Sequence, residues 1–282
     1  MLCYHDKWYA TFTGTVSNRN HKAAWLGPAL LLLISAACAR NERPSSGSAE
    51  ILVAAAADLK FALEEIVKEF RRKHRDAEVK ISYGSSGNFY SQLLNRAPFD
   101  IYFSADLSYP KKLREQGLTL GSEFTYAVGR IIVWAPSSSN LDVERLKMDA
   151  LRQPRVRHIA IANPRHAPYG RAAEAAMRSL GVYHAVKDKL VLGENIVQAF
   201  QFVQSGSAEV GVVALSLVLG LEVSSQGRYW EVPLDAYPRL EQGGAILKWA
   251  KNPQVTQNLR SYVQAQAGRA ILKRYGFGLP EE

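Results

Sequence analysis

From Glu50 onward, short apolar runs alternate with stretches in which apolar residues recur every three or four positions. The runs are EILVAAA (50–56), EVKISYG (78–84), FDIYFSAD (99–106), RIIVWAP (130–136), RHIAIANP (157–164), DKLVLG (188–193) and EVGVVAL (209–215). Each reads as a strand. The segment after the first run places Leu59, Ala62, Leu63, Ile66, Val67 and Phe70 on one helical face, with charges between them. Helices are likewise predicted at 88–96, 108–118, 170–181 and 195–206, and one or two in the tail 255–277. Strands alternating with helices define the α/β class with largely parallel sheets. A strand is also expected near YWEVPL (229–234), pairing in function with GRIIVW (129–134) as a two-strand crossing.

Ligands of open α/β sheets bind beyond the carboxyl ends of strands, where helices begin. Four strand-to-helix turns therefore matter most: AAAADLK (54–60), YGSSGNFY (83–90), NPRHAPYGR (163–171) and LGENIVQ (192–198). They are rich in Gly, Ser, Asn and Ala. In GSSG (84–87), glycines allow close backbone approach, two serines offer hydroxyls, and the helix start adds free N–H groups and a partial positive charge. Such a turn is either a neutral cradle for an oxyanion or an ordinary helix cap made by Ser85 or Ser86. At the first turn the side chain is Asp58, a carboxylate at a seat that suits an anion.

Composition narrows the classes. The 282 residues carry a formal charge of +9, of which residues 1–37 contribute +2, leaving +7. The basic residues are scattered, and no basic run is interleaved with aromatics, so no nucleic-acid partner is expected. Residues 23–38, AAWLGPALLLLISAAC, follow Arg19 and Lys22 and read as a secretory signal, shorter than the roughly 20 residues of a membrane span. Residues 1–37 are therefore expected to be removed. The run closes on SAAC, which resembles a bacterial lipoprotein signal, and this implies lipidation at Cys38 and a periplasmic or cell-surface location. Residues 1–15 fall outside the signal pattern, so translation is expected to begin at Val16. Residues 38–49 are polar and Ser-, Gly- and Pro-containing, a flexible tether. The only cysteines are Cys3 and Cys38, which excludes a disulfide or thiol nucleophile in the exported domain. The six histidines, at 5, 21, 74, 158, 166 and 184, show no i, i+4 pair, so no metal centre is expected. His166 reads as a solvated loop residue. Asp100 and Asp106 read as a strand end and a helix cap.

Taken in order, ILVAAAADLKFALEEIVKEF, YGSSGNFYSQL, APFDIYFSAD, IANPRHAPYGRAAEAAM, VQSGSAEVGVV and ILKRYGF resemble the molybdate-binding proteins of bacterial ABC importers over residues 50–279. The resemblance implies a two-lobed periplasmic-binding-protein-like fold with a two-strand hinge. Lobe one would hold 50–127 and 236–282, and lobe two 128–235. It implies a monomeric receptor, not an enzyme, without a cofactor. It would close on molybdate or tungstate, deliver it to an ABC transporter permease, and touch the membrane only through its lipid anchor. Ligand contacts carried over fall at Asp58, Ser86, Tyr169, Ile196 and Ala214, with Tyr169 and Ile196 acting through their backbone. Two depart from the family: Asp58 stands for a hydroxyl, and Ala214 for a tyrosine. Ser216, Tyr169 or Tyr83 are the candidates to replace that lost hydroxyl. The alternatives are a binding protein for a protonated oxyanion such as phosphate, and an exported hydrolase using Ser86.

The carboxylate sharpens the question. At an effective dielectric of about 20 and about 4 Å, two unit charges interact by roughly 4 kcal/mol, so a dianion would be repelled by roughly 8 kcal/mol. That equals the whole free energy of a micromolar complex, about 8 kcal/mol. Asp58 must therefore cap its own helix through Lys60 or Phe61, be protonated, or meet a ligand that brings a proton.

Overall fold

The computed structural model describes residues 49–220 and 226–281. The expected signal sequence, Cys38 and the tether up to residue 48 lie outside them. The described residues form part of one compact unit, built on two five-stranded sheets.

The strands are β1 Ala49–Ala56, β2 Ala77–Gly84, β3 Ile101–Ser104, β4 Phe124–Gly129, β5 Ile131–Pro136, β6 Ile159–Ala162, β7 Leu190–Gly193, β8 Val210–Ala214, β9 Gly227–Glu231 and β10 Leu240–Ile246. The helices are α1 Lys60–Lys73, α2 Ser86–Leu94, α3 Ser108–Glu115, α4 Val143–Leu146, α5 Pro168–Ser179, α6 Tyr183–Val186, α7 Ile196–Gln204, α8 Leu215–Gly220, α9 Pro253–Gln264 and α10 Gln266–Arg274. The first sheet runs β2-β1-β3-β10-β4 and the second β7-β6-β8-β5-β9.

The two sheets are built alike. In each, a central strand (β1 or β6) pairs in parallel with two neighbours. In each, antiparallel pairing completes the other side. Both sheets are thus mixed. The antiparallel part comes from strands that change sheet: β4 leads through Arg130 alone into β5, and β9 leads through 232–239 back to β10. Neither β4 nor β10 is predicted by the hydrophobic pattern. β10 reads LEQGGAI, with two glycines and two polar residues, which is weak strand chemistry. Pairing on both sides makes it a strand all the same.

Burial follows the pattern. Ile51, Val53, Ala54 and Ala55 of β1 are fully buried, as a central strand covered on both faces requires. Helix α1 turns Ala62, Leu63, Ile66, Val67 and Phe70 inward and leaves Arg71, Arg72 and Lys73 in its last turn, where cations suit the helix dipole. Each such large apolar side chain contributes roughly 1.5–3 kcal/mol. One core lies between the first sheet and α1, α9 and α10, and another on that sheet's other face under α2 and α3. The core of the second sheet extends to Ala56, Ala57 and Ala105 of the first, so the sheets meet at the carboxyl ends of β1 and β3.

Candidate functional site

Five loops converge where the sheets meet. From the first sheet come the turns after β1, β2 and β3. From the second come the turns after β6 and β7. They line a small cavity of about 10 Å³ formed by Ala56–Asp58, Gly84–Ser86, Ala105, Ala167–Tyr169 and Ile196. Roughly 10–15 Å³ is the room one water needs, far below the 300–1,000 Å³ of drug-sized pockets, so only a small ligand suits the cavity. A larger groove nearby carries Asp106, Lys111, Arg171, Arg239 and Glu241. Its Arg171 is already paired with Asp106 and its Arg239 with Glu241.

Three helices of nine or more residues start at the cavity: α2, α5 and α7. A short 3-10 turn, Ala57–Leu59, leads into α1 there too. The amides of a first helical turn lack helical acceptors. Asn195 caps α7 by accepting from Val197 N and Gln198 N, which leaves the Ile196 amide outside the cap. In α5, Ala167 O takes the amides of Gly170 and Arg171, and the Tyr169 amide stays outside those bonds. Ser85 is the cap of α2, accepting from Asn88 N at 3.4 Å. Ser86 is the cavity residue: its Oγ accepts from Ala105 N at 3.0 Å, which leaves the hydroxyl hydrogen to donate elsewhere. The small side chains of Ala56, Ala57, Ala105 and Ala167 let these backbones approach. Among the described residues, no Lys, Arg or His lines the cavity. Neutral donors and helix starts are what it offers an anion.

Asp58 is 1% exposed. It does not cap α1 through Lys60 or Phe61. Instead its Oδ2 accepts from Tyr169 Oη at 3.0 Å and from Gln242 Nε2 at 2.6 Å. The same Nε2 lies 3.2 Å from Tyr169 Oη and donates to it as well. A register shift between Gln242 and Gly243 of β10 lies beside this arrangement. Asp58 Oδ1 and Gln242 Oε1 are buried without a hydrogen-bond partner among the described residues. Burial pushes the Asp58 carboxyl up to about 6, against the downward pull of Gln242, then Tyr169, then the nearby amides of Asp58 and Leu59. Burial, reinforced by Asp58, holds the phenols of Tyr126 and Tyr169 well above their ordinary value, so both stay neutral.

Further bonds join the two sheets around the cavity. Gly87 N donates to His166 O at 2.9 Å, and Ser85 Oγ lies 2.9 Å from His166 Nδ1. Asn88 Nδ2 donates to Glu194 Oε1, and Ser216 Oγ donates to Asp58 O at 2.8 Å. His166 is therefore half-buried and bonded across the site, not a solvated loop histidine.

Of the five sequence candidates, Asp58, Ser86, Tyr169 and Ile196 come together on the cavity. Ala214 does not. It is the last residue of β8, fully buried and paired with Ile131, and its methyl group has no hydrogen to donate. None of the proposed replacements is free: Ser216 donates to Asp58 O, Tyr169 to Asp58 Oδ2, and Tyr83 to Lys60 O. Gln242, Ser85 and His166 were not expected as site residues. A glutamine between apolar and glycine positions in β10 is a faint signal, visible only once that strand is known to be central. Asp100 stands just before β3 and accepts from Leu52 N and Lys251 N, and Asp106 accepts from Ser108 N at the start of α3.

Two mixed sheets joined by two chain crossings, with helix starts meeting between them, define the two-lobed class of solute-binding proteins. A profile of bacterial extracellular solute-binding proteins matches residues 51–278, and the chain belongs to that family. Among curated relatives, the molybdate-binding protein ModA of Azotobacter vinelandii is 39% identical over 233 residues, 82% of this chain and 91% of that protein. ModA of Rhodobacter capsulatus is 36% identical over 82% of this chain and 89% of its own length. The solved Azotobacter vinelandii periplasmic molybdate-binding protein superposes with a TM-score of 0.74 at 34% identity, covering 82% of this chain and 99% of that one.

Proposed function

We propose that the protein captures a tetrahedral oxyanion, molybdate or tungstate, between its lobes and delivers it to the permease of an ABC importer. The observation that carries this reading is the convergence of three helix starts and the Ser86 hydroxyl on one small, cation-free cavity. The names of the relatives support molybdate as the ion. The binding residues are Asp58, Ser86 and the amides of Tyr169 and Ile196. Lobe one is 50–127 with 236–282 and lobe two 128–235; the chain crossings at Arg130 and 232–239 support this division. The protein is exported, tethered by lipid on Cys38, and works as a monomer. It binds rather than catalyses, a reading that its membership of a solute-binding family supports.

A second reading, a protonated oxyanion such as hydrogen phosphate, draws on the Asp58 Oδ1 that lacks a partner and could accept the ligand's proton. Calorimetric titration with molybdate, tungstate, sulfate and phosphate separates the two. Micromolar or tighter binding of molybdate with weak phosphate binding supports the first reading. The reverse order supports the second, and ester turnover lost in Ser86→Ala would sink both.

A further inference from the structure

The two oxygens of Asp58 differ. Oδ2 is saturated, accepting from a phenol and an amide that come from α5 and β10. Oδ1 is buried, lies on a residue that lines the cavity, and makes no hydrogen bond among the described residues. A carboxylic acid has one oxygen that accepts and one that donates. With Oδ2 committed to two donors, an added proton belongs on Oδ1. An O–H there needs an acceptor, and a ligand oxygen in the cavity provides one. An ionised Oδ1 would instead face a dianion at contact distance, with no cation on the cavity wall to offset it.

We propose that the site takes its oxyanion together with one proton, carried on Asp58 Oδ1 and donated to a ligand oxygen. This rests on the oxyanion reading above. The proton comes from solvent when the ion binds and returns to solvent when it leaves. Anion release thereby becomes coupled to the ionisation of one buried acid, and a rise in pH favours the empty receptor.

The groups packed against Asp58 leave it as the one that titrates. Helix α5 presents Tyr169, β4 presents Tyr126 and β10 presents Gln242, and both phenols are held far above their ordinary value. The turn before α2 brings Ser86, and α8 brings Ser216 to the Asp58 carbonyl. His166 stands one shell away, on Ser85. Burial raises the carboxyl into the neutral range, which is where such coupling operates.

The test is titration of the full-length exported protein with molybdate at pH 6.5, 7.5 and 8.5, in two buffers of different ionisation enthalpy. Molybdate itself stays unprotonated over this range. Expected are close to one proton taken up per ion at pH 7.5 and a Kd that rises roughly 100-fold from pH 6.5 to 8.5, as linkage to one group requires. Asp58→Asn places a permanent N–H donor at the same position, so its Kd should stay flat with pH and be the tighter of the two at pH 8.5. His166→Gln should keep the wild-type slope. Molybdate binding that is flat with pH and takes up no proton overturns the proposal while leaving the oxyanion reading intact. A slope that disappears in His166→Gln also overturns it. Failure of all four anions to bind at pH 6.5 overturns the oxyanion reading, and the proposal falls with it. Should Asp58→Asn fold poorly, the wild-type slope and proton count decide alone.

Discussion

The amide of Gly87 donates to the carbonyl of His166 at 2.9 Å, so the start of α2 on one sheet is bonded directly to the turn after β6 on the other. This contact needs a residue without a side chain. A Cβ at position 87 would fall 2.6 Å from the His166 oxygen and 2.9 Å from its Cα. Both atoms are backbone and cannot swing aside. Gly87→Ala should therefore hold the sheets apart at the cavity. Closure is part of what ligand affinity measures. The expected outcome is at least a tenfold loss of anion affinity, little change in the thermal stability of the ligand-free protein, and a larger radius of gyration by X-ray scattering with ligand present. Unchanged affinity would show that the two sheets can bind the ion without this contact.

Asp58 also makes stability depend on pH, independently of any ligand. Its folded value is about 6, against 3.8 for the free side chain. A raised value means the folded state holds the proton more tightly. The associated stability is fully present below about pH 4, falls as pH rises from there, and is lost above about pH 6. The shift corresponds to roughly 3 kcal/mol. Asp58→Asn is neutral at every pH, can keep an acceptor for Tyr169 and Gln242, and puts its amide where Oδ1 now lies. It should melt several degrees above wild type at pH 8 and close to it at pH 4. An equal difference at both pH values would mean the effect is packing, not ionisation.

How much of this site could be read from the chain depended on the range of the interaction. The four turns after β1, β2, β6 and β7 carry local signatures: glycine and serine before α2, Pro168 at the first position of α5, and Asn195 as the cap of α7. Those turns, with the family resemblance, pointed to Ser86, Tyr169 and Ile196, and all three line one cavity. What Asp58 bonds to was not legible. Its partners stand 111 and 184 positions away, and one of them sits in a strand whose glycines and polar residues hide it from any periodicity. A cap to Lys60 or Phe61, one of the three alternatives the sequence left open, was the local solution for a carboxylate there. The tertiary structure offered two stronger donors. Ala214 failed for a related reason: its place along the chain matched, but β8 ends in the core before reaching the cavity.

Gln242 is the residue whose role emerged only from the fold, and it can be tested by removing its polarity. It is fully buried and donates to both Asp58 and Tyr169. Gln242→Leu would leave the Asp58 carboxyl with one donor in place of two. Loss of a buried partner costs about 1–3 kcal/mol. The lost amide also stabilised the ionised form, so the carboxyl should move further up. The destabilisation by Gln242→Leu should therefore be larger at pH 8 than at pH 5, read as the difference in urea midpoints at the two pH values. A destabilisation that does not vary with pH would separate Gln242 from the charge on Asp58.

Ser86 separates binding from folding most cleanly. Its oxygen accepts from Ala105 N at 3.0 Å, and Tyr102 Oη donates to the Ser86 carbonyl at 2.7 Å, so the backbone is held whatever the side chain does. Ser86→Ala removes an acceptor from one buried amide, worth about 1 kcal/mol of folding stability. In the bound state it also removes a donor to a charged ligand, worth about 1.5–3 kcal/mol, or about ten- to a hundredfold in Kd. Position 85 is the contrasting control, since Ser85 caps α2 and touches His166 but leaves the cavity hydroxyl in place. Ser85→Ala should cost roughly 1 kcal/mol of stability through the lost cap and weaken anion affinity less than Ser86→Ala does. If the two substitutions weaken binding equally while the melts stay matched, the ligand donor is not the Ser86 hydroxyl alone.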